Sequence, residues 1–283
     1  MSHNVRLITG FSEVGNSANL TAKCLSCLLP LRLSLYAEGG VAQKLIGATS
    51  IVLWLAALLL IQSRTAVPAA VLILGAYLYF GKKGSVSRGT LIGAGVVVVI
   101  FLGVALLSPG YRGRFSESSI RYILWYLAWR AFLHNPVLGV GVGRFTEVFL
   151  HQTSPGLYML MGGKAEVGGW AARGESQEVS THSILFELLA ETGTLGLLAY
   201  GWFALSVVMN AIHSLRDSEG QGPSFVEATL PALIAGYIGF LFYSLTGGGT
   251  RERVLYVFVG LVGAASQLLA RMNFDRQAEL KRA

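Results

Sequence analysis

Two long stretches of the sequence contain no charged side chain. The first, Leu45–Gln62, reads LIGATSIVLWLAALLLIQ, and the second, Gly89–Ser108, reads GTLIGAGVVVVIFLGVALLS. The hydrocarbon core of a bilayer is about 30 Å thick, and a helix of roughly 20 apolar residues crosses it. A single helix satisfies all of its interior backbone polar groups within one segment, which the bilayer requires. These stretches therefore predict an all-α, polytopic membrane protein.

Five further apolar runs approach the same length. With the two above, the predicted spans are Asn19–Tyr36, Leu45–Gln62, Ala66–Gly81, Gly89–Ser108, His182–Leu215, Ser224–Thr246 and Val254–Ala270. The composition agrees, because 53% of the residues are hydrophobic and only 13% are charged, which is too apolar for an ordinary soluble domain. We predict about seven transmembrane helices and one long loop that contains an interfacial amphipathic helix.

The lysines and arginines in the short loops predict the orientation. If the loop with Lys82, Lys83 and Arg88 is cytoplasmic, nine basic residues lie inside and four lie outside. The long loop is then extracytoplasmic. The expected organisation is a four-span region at 1–108, the extracytoplasmic loop at 109–181, a three-span region at 182–271 and a cytoplasmic tail at 272–283.

This orientation places the amino end outside without a preceding span. The first twenty residues lack the basic and continuous apolar regions of a signal peptide. We therefore expect that the amino-terminal spans of a longer parent are missing. The alternative is a complete seven-span protein.

Several classes of function find no support in the sequence. The formal net charge is +7, but the basic residues are scattered between apolar runs, so no nucleic-acid partner is expected. Cys24 and Cys27 lie inside an apolar run, which favours neither a disulfide framework nor a zinc site. D-x-D, Walker, H-E-x-x-H and G-x-S-x-G motifs are absent. We expect no metal and no cofactor.

The long loop begins with a helical pattern, SESSIRYILWYLAWRAFLHNP. Ser116 or Ser118 is placed to cap the helix, and Pro136 to end it. An apolar stripe follows one side: Ile120, Ile123, Leu124, Leu127 and Ala131. Residues four apart mark a second side: Arg121, Trp125 and Trp129. Aromatic side chains suit the headgroup level of a membrane, and they also suit a surface for sugar and phosphate.

A glycine-rich stretch, NPVLGVGVGRF, follows this helix. Gly139, Gly141 and Gly143 occupy every second position. Such spacing permits a close-packed turn, or a row of amide N–H groups that bind an anion. The G-x-G-x-x-G spacing of a dinucleotide site is absent.

The stretch THSILFELLAETGTLG places His182 at the head of an apolar helix, with Glu187 and Glu191 one and two turns further in. A neutral imidazole is a suitable general base near pH 7, although a lone histidine is more often structural. The two carboxylates require hydrogen bonds, an arginine or water. Arg64 ends the second span and either binds an anion or extends to the headgroups.

Four stretches in this order resemble the O-antigen ligase and polymerase superfamily of bacterial membrane glycosyltransferases. They are VRLITGFSEVGNSANLTAKCLSCLLPLRLSL, IQSRTAVPAAVLIL, RYILWYLAWRAFLHNPVLGVGVGRF and STHSILFELLAETGTLGLL. They are similar to the family's G-R-x-x-G-x-x-x-N-x-x-A, T-G-S-R-G, R-x-x-x-W-x-x-A with N-P-x-x-G-x-G-x-G-x-F, and H-N-x-x-L-x-x-L-A-E-x-G-x-x-G motifs. Ser183, Thr65 and Gln62 depart from these motifs.

The resemblance implies an enzyme of the bacterial inner membrane with a periplasmic active face. It implies transfer of a glycan from an undecaprenyl-pyrophosphate carrier to a hydroxyl, on lipid A–core in a ligase or on another carrier-linked unit in a polymerase. His182 would be the base, Arg64 and Arg121 would bind the pyrophosphate, and Trp125 and Glu191 would support the site.

Two other classes of function remain at this stage. A transporter of polysaccharide or lipid-linked oligosaccharide would use the same arginines for its anionic headgroup, although such a protein usually contains internal repeats, and the sequence has none. An inactive fragment or scaffold is the third alternative.

Overall fold

A computed structural model describes residue 40, parts of 42–53, and 66–81, 103, 119–152, 181–218, 225–247, 253–280 and 282. All the regular elements in these residues are helices. They are α1 (Ala66–Phe80), α2 (Ser119–His134), α3 (Phe145–Gln152), α4 (Ile184–Asp217), α5 (Phe225–Gly247) and α6 (Arg253–Leu280). The predicted all-α class is confirmed for the described part of the chain.

Three of these helices are long and apolar enough to cross a membrane. Their apolar segments are Ile184–Asp217, Phe225–Leu245 and Val254–Glu279, and a shorter apolar helix occupies Pro68–Phe80. They correspond to the third and the last three predicted spans. The first and fourth predicted spans, and most of the second, lie outside the described residues, so the total of seven stays a prediction.

The chain divides into two compact units. The first comprises Met1–Tyr111, Val208–Tyr243 and Val254–Ala283, and the second comprises Arg112–Val207 and Ser244–Arg253. The division of the sequence at 108, 181 and 271 that we expected stays a prediction.

In the first unit, α5 is the most buried of the three long helices. Its Gly239 lies directly against α1, because a Cβ atom at this position would overlap the side chain of Ile73. The neighbouring Phe240 packs on Phe258 of α6, with 6.0 Å between the ring centroids. Because Gly239 has no side chain, α1 can lie close to α5. Phe240 and Phe258 form the contact between α5 and α6.

In the second unit, α2, α3 and the first turns of α4 share one apolar core. Its buried members are Leu124, Leu127, Ala128, Ala131, Phe145, Phe149 and Ala190. Leu124, Leu127 and Ala131 of the predicted stripe thus face this core, and Ile123 packs at its edge. The helix ends at His134, two residues before Pro136, since proline disfavours a helical conformation in the residue before it. Tyr122 and Tyr126 point away from the core and are exposed.

The first of the long helices, α4, is broken rather than continuous. Gly193 has φ 64° and ψ −159°, which are not helical values. An unbroken helix of 34 residues would be about 51 Å long, much longer than a bilayer core of about 30 Å. The expectation of one apolar run from His182 to Leu215 is corrected in this respect: the helix begins at Ile184, and the break separates its first nine residues from the part that is long enough to cross.

Candidate active site

His182 occupies a strained turn just before α4. Its φ is 53°, in the left-handed region that non-glycine residues rarely adopt. The hydroxyl of Thr181 donates to the Ser183 carbonyl oxygen at 2.7 Å and accepts from the Ser183 amide at 3.3 Å. Both flanking residues are buried, whereas His182 is exposed. The turn therefore presents the imidazole outward and holds it by the residues on either side.

The Trp125 side chain of α2 fastens this turn from a distant part of the sequence. Its indole Nε1 donates to the carbonyl oxygen of Thr181 at 3.1 Å. Its ring stacks on Phe186, one turn into α4, with a centroid distance of 5.2 Å and an interplanar angle of 15°. Trp125 therefore contacts the chain on both sides of His182. Its indole N–H is used within the protein, so the contacts of Trp125 hold the turn.

Arg121 lies one turn before Trp125 on α2, and its charge acts on His182. His182 is exposed as a residue, but the protein around its imidazole excludes part of the water, and this desolvation lowers the pKa of the imidazole below its usual value of 6.5. The positive charge of Arg121 lowers the pKa further. The lowered pKa favours the neutral imidazole at pH 7. The structure thus brings together two of the three residues that the motifs indicate.

The third of those residues, Arg64, lies outside the described residues. Trp129, which the spacing groups with Arg121 and Trp125, is exposed and packs on Phe132 of its own helix, with centroids 5.2 Å apart. The three positions do not share one environment.

Glu191 is buried two turns into α4, as the sequence predicts. Its Oε1 accepts a hydrogen bond from the backbone amide of Phe145 at 3.4 Å. Phe145 is the first residue of α3, and a carboxylate is stabilised at the amino end of a helix by the free amides and the helix dipole. Glu191 therefore joins α4 to α3. Glu187 is also buried, one turn beyond Ser183.

The glycine-rich stretch forms a close-packed turn and not a row of free amides. Gly139, Gly141 and Gly143 all have positive φ. The amides of Gly139, Val140 and Gly141 donate to the carbonyl oxygens of Asn135, Ala190 and Glu191, at 2.9, 2.8 and 3.0 Å. These amides are therefore not available to an anion. The sequence did not predict that this stretch packs against the break in α4. The available signal was Gly193, a glycine inside a helical pattern.

Comparison with known proteins gives one family. The family model described as O-antigen ligase matches residues 49–201, more than half of the chain. The match includes α1, α2, α3, the His182 turn and the break in α4. No curated protein matches the sequence.

Proposed function

The chain belongs to the O-antigen ligase family, and from this premise we propose that it transfers a glycan from an undecaprenyl-pyrophosphate carrier to a hydroxyl acceptor without a metal. Family membership and three helices long enough to cross a bilayer make the chain a membrane protein of a glycosyltransferase-type family. The specific reaction that we propose is ligation of O-antigen to lipid A–core at the periplasmic face of the bacterial inner membrane.

One observation carries this proposal: His182 is exposed, and the positive charge of Arg121 acts on its imidazole. The acceptor hydroxyl gives its proton to the neutral imidazole as its oxygen attacks the anomeric carbon. The bond between that carbon and the pyrophosphate oxygen breaks, and its electron pair leaves with the pyrophosphate. Attack from the side opposite the leaving group inverts the anomeric centre.

Arg121 has two roles in this proposal. Before the reaction, its charge helps to keep His182 unprotonated. During the reaction, its planar guanidinium group binds oxygens of the departing pyrophosphate and stabilises their growing negative charge. A guanidinium suits this task because its fork of donors matches phosphate geometry. Arg64 is the proposed second guanidinium, on the evidence of its motif.

Ligation is preferred to polymerisation because the matching family model is described as O-antigen ligase. A polymerase would use the same donor, membrane face and base, but its acceptor would be another carrier-linked unit. The product distinguishes the two: a glycan on lipid A–core indicates ligation, and a longer carrier-linked glycan indicates polymerisation.

A complementation experiment tests the proposal. The chain, expressed in a ligase-deficient bacterial strain, should restore surface O-antigen. His182→Ala should abolish the restoration at an equal amount of protein in the membrane. His213→Ala is the matched control, because His213 is an exposed histidine near the other end of α4, and this variant should restore O-antigen. Normal surface polysaccharide in the His182→Ala strain would contradict the assignment of the base.

A further inference from the structure

The break in α4 redirects four backbone groups that an unbroken helix would pair with one another. In a regular helix each amide donates to the carbonyl four residues earlier. Thr194 N would therefore donate to Ala190 O, and Leu195 N would donate to Glu191 O. The conformation of Gly193 separates both pairs. Each of these four groups finds a new partner in residues 136–141, which we call the splice segment.

The four replacement hydrogen bonds follow a simple pattern. The two amides after the break donate to carbonyls of the splice segment, and its amides donate to the two carbonyls before the break. The pairs are Thr194 N to Pro136 O at 2.9 Å, Leu195 N to Val137 O at 3.3 Å, Val140 N to Ala190 O at 2.8 Å, and Gly141 N to Glu191 O at 3.0 Å. The hydroxyl of Thr194 also donates to Pro136 O at 2.7 Å. The splice segment therefore completes the backbone of the broken helix.

Two glycines make this insertion possible. Gly193 adopts φ 64° and ψ −159°, a region that is essentially restricted to glycine. A Cβ atom on it would lie 2.5 Å from the carbonyl carbon and oxygen of Val137. A Cβ atom on Gly139, whose φ is +68°, would lie 2.5 Å from the amide nitrogen of Thr192. Each glycine thus leaves room for the backbone of the other segment.

Glu191 accepts hydrogen bonds from the splice segment and from the first residue of α3. Its backbone carbonyl accepts from the Gly141 amide, and its side-chain Oε1 accepts from the Phe145 amide, where α3 begins. The carboxylate is buried at 5% exposure, so little water competes for this bond. One residue of α4 therefore holds the splice segment and the helix that follows it.

The segment that carries His182 is attached to its surroundings at both ends. At its start, Trp125 of α2 bonds Thr181. At its end, Glu191 holds the splice segment, which continues directly from the carboxyl end of α2 through Asn135. Because α2 also carries Arg121, the two attachments together set the position of His182 relative to that guanidinium.

We propose that Gly139, Gly193 and Glu191 are positioning residues for glycan transfer, because the splice that they form fixes His182 against the helix that carries Arg121. This inference rests on the function proposed above. None of the three is assigned contact with the substrate, and Glu191 is assigned the role of a hydrogen-bond acceptor, not of an acid or a base.

Four variants of the whole chain, purified in nanodiscs, test the proposal. Gly193→Ala and Glu191→Ala disrupt the splice. Glu191→Gln keeps an acceptor oxygen for Phe145 N but removes the charge. Gly201→Ala is the matched control, since Gly201 lies in α4 and a Cβ atom there would meet nothing within 4 Å. Transfer is measured with an undecaprenyl-pyrophosphate-linked glycan and lipid A–core. The His182 imidazole is titrated separately by NMR of isotope-labelled histidine.

We expect Gly193→Ala and Glu191→Ala to lower kcat by about 100-fold, because a displacement of about 1 Å at a reacting group has an effect of that size. KM for the donor should change much less, because Arg121 stays on α2. The pKa of His182 should rise towards 6.5 in both variants, as the imidazole moves away from Arg121. Glu191→Gln and Gly201→Ala should keep both the kcat and the pKa of the unmodified chain.

Each other outcome overturns the inference or separates it from the proposed function. An unchanged His182 pKa in Gly193→Ala and Glu191→Ala refutes the positioning role, whatever happens to kcat. Loss of transfer in Glu191→Gln refutes the acceptor role of Glu191. If Gly193→Ala fails to fold, the Glu191→Ala and Glu191→Gln pair decides alone. If the unmodified chain transfers no glycan but the pKa moves as expected, the proposed function fails while the positioning stands.

Discussion

At the scale of single residues, the backbone of His182 is as informative as its imidazole. A left-handed conformation costs a non-glycine residue about 1–2 kcal/mol, and such strain persists only where neighbouring contacts enforce it. Here the enforcing contacts are the hydroxyl of Thr181 and the indole of Trp125. Strain of this kind concentrates at functional sites, which agrees with His182 as the proposed base.

Glycine at position 182 should relieve this strain. We expect His182→Gly to be more stable than His182→Ala by about 1 kcal/mol, because only glycine adopts the turn without cost. Both variants should transfer glycan at least about 100-fold more slowly than the unmodified chain. Thermal unfolding in detergent measures the difference in stability. Equal stability of the two variants would show that the turn relaxes when the imidazole is removed.

The charge of Arg121 should be visible in the pH dependence of transfer. Only neutral His182 accepts a proton, so kcat/KM falls as the pH drops through the pKa of His182, which is below 6.5 in the folded protein. Arg121→Gln should shift this acidic limb to higher pH but leave it below 6.5, because burial, the larger cause, remains. Arg121→Lys keeps the charge and should leave the limb in place. If the acidic limb does not move in Arg121→Gln, the charge of Arg121 does not lower the pKa of His182.

The lowered pKa of His182 should also make the free energy of unfolding depend on pH. Between the folded pKa of His182 and 6.5, the unfolded chain binds the proton and the folded chain does not, so stability is lost as the pH falls through this window. The Arg121→Gln variant, with a smaller shift, should lose less stability there.

At the scale of helices, the apolar stripe and the end of α2 could be predicted from the sequence, whereas the break in α4 was not predicted. The apolar stripe along α2 and Pro136 after it act locally, and the structure agrees with both; the predicted capping serines, Ser116 and Ser118, lie outside the described residues. Glu191–Thr194 interrupts the apolar run, but one glycine among polar residues does not by itself predict a helix break. The break depends on hydrogen bonds to residues 50 to 58 positions earlier, which no local pattern contains.

The same limit applied to the candidate site. The sequence motifs and the family resemblance singled out His182, Arg121, Trp125 and Glu191 as candidates, and their roles stay predictions. Helical spacing grouped Trp125 with Trp129, but tertiary packing stacks Trp125 on Phe186 and leaves Trp129 exposed. Helical spacing gives a shared side of a helix, and the neighbouring elements decide what each residue on that side contacts.

A threonine pair tests whether the splice stabilises α4. The hydroxyl of Thr194 donates across to Pro136 O at 2.7 Å, whereas that of Thr192 donates to Leu188 O of its own helix at 2.8 Å. Thr194→Val should lower the free energy of unfolding by about 1 kcal/mol. Thr192→Val should have almost no effect, because hydroxyl bonds within a helix do not stabilise it. Equal effects in chemical unfolding would contradict a stabilising contact across the break.

At the scale of the whole molecule, apolar length predicted the membrane class, and the described residues contain three helices that meet this criterion. Length and composition are properties of each segment alone, so a membrane-spanning helix can be predicted without knowing its tertiary contacts. The orientation and the total of seven spans stay predictions, because they depend on the loops and on segments outside the described residues.

Cysteine labelling tests the orientation. In a chain with Cys24 and Cys27 replaced by serine, a cysteine at Lys164 should react with a membrane-impermeant thiol reagent in spheroplasts. A cysteine at Lys281 should react only after the membrane is permeabilised, since the positive-inside pattern places it in the cytoplasm. The reverse labelling pattern would invert the assigned faces and move His182 to the cytoplasm.

The most direct measurement of the central claim is the rate at which the purified chain transfers glycan with and without its proposed base. His182→Gln, which keeps a polar side chain but accepts no proton near pH 7, should lower kcat by about 10²–10⁴-fold, with donor KM nearly unchanged. Product on lipid A–core at that reduced rate agrees with His182 as the base. Transfer by His182→Gln at the rate of the unmodified chain would contradict it.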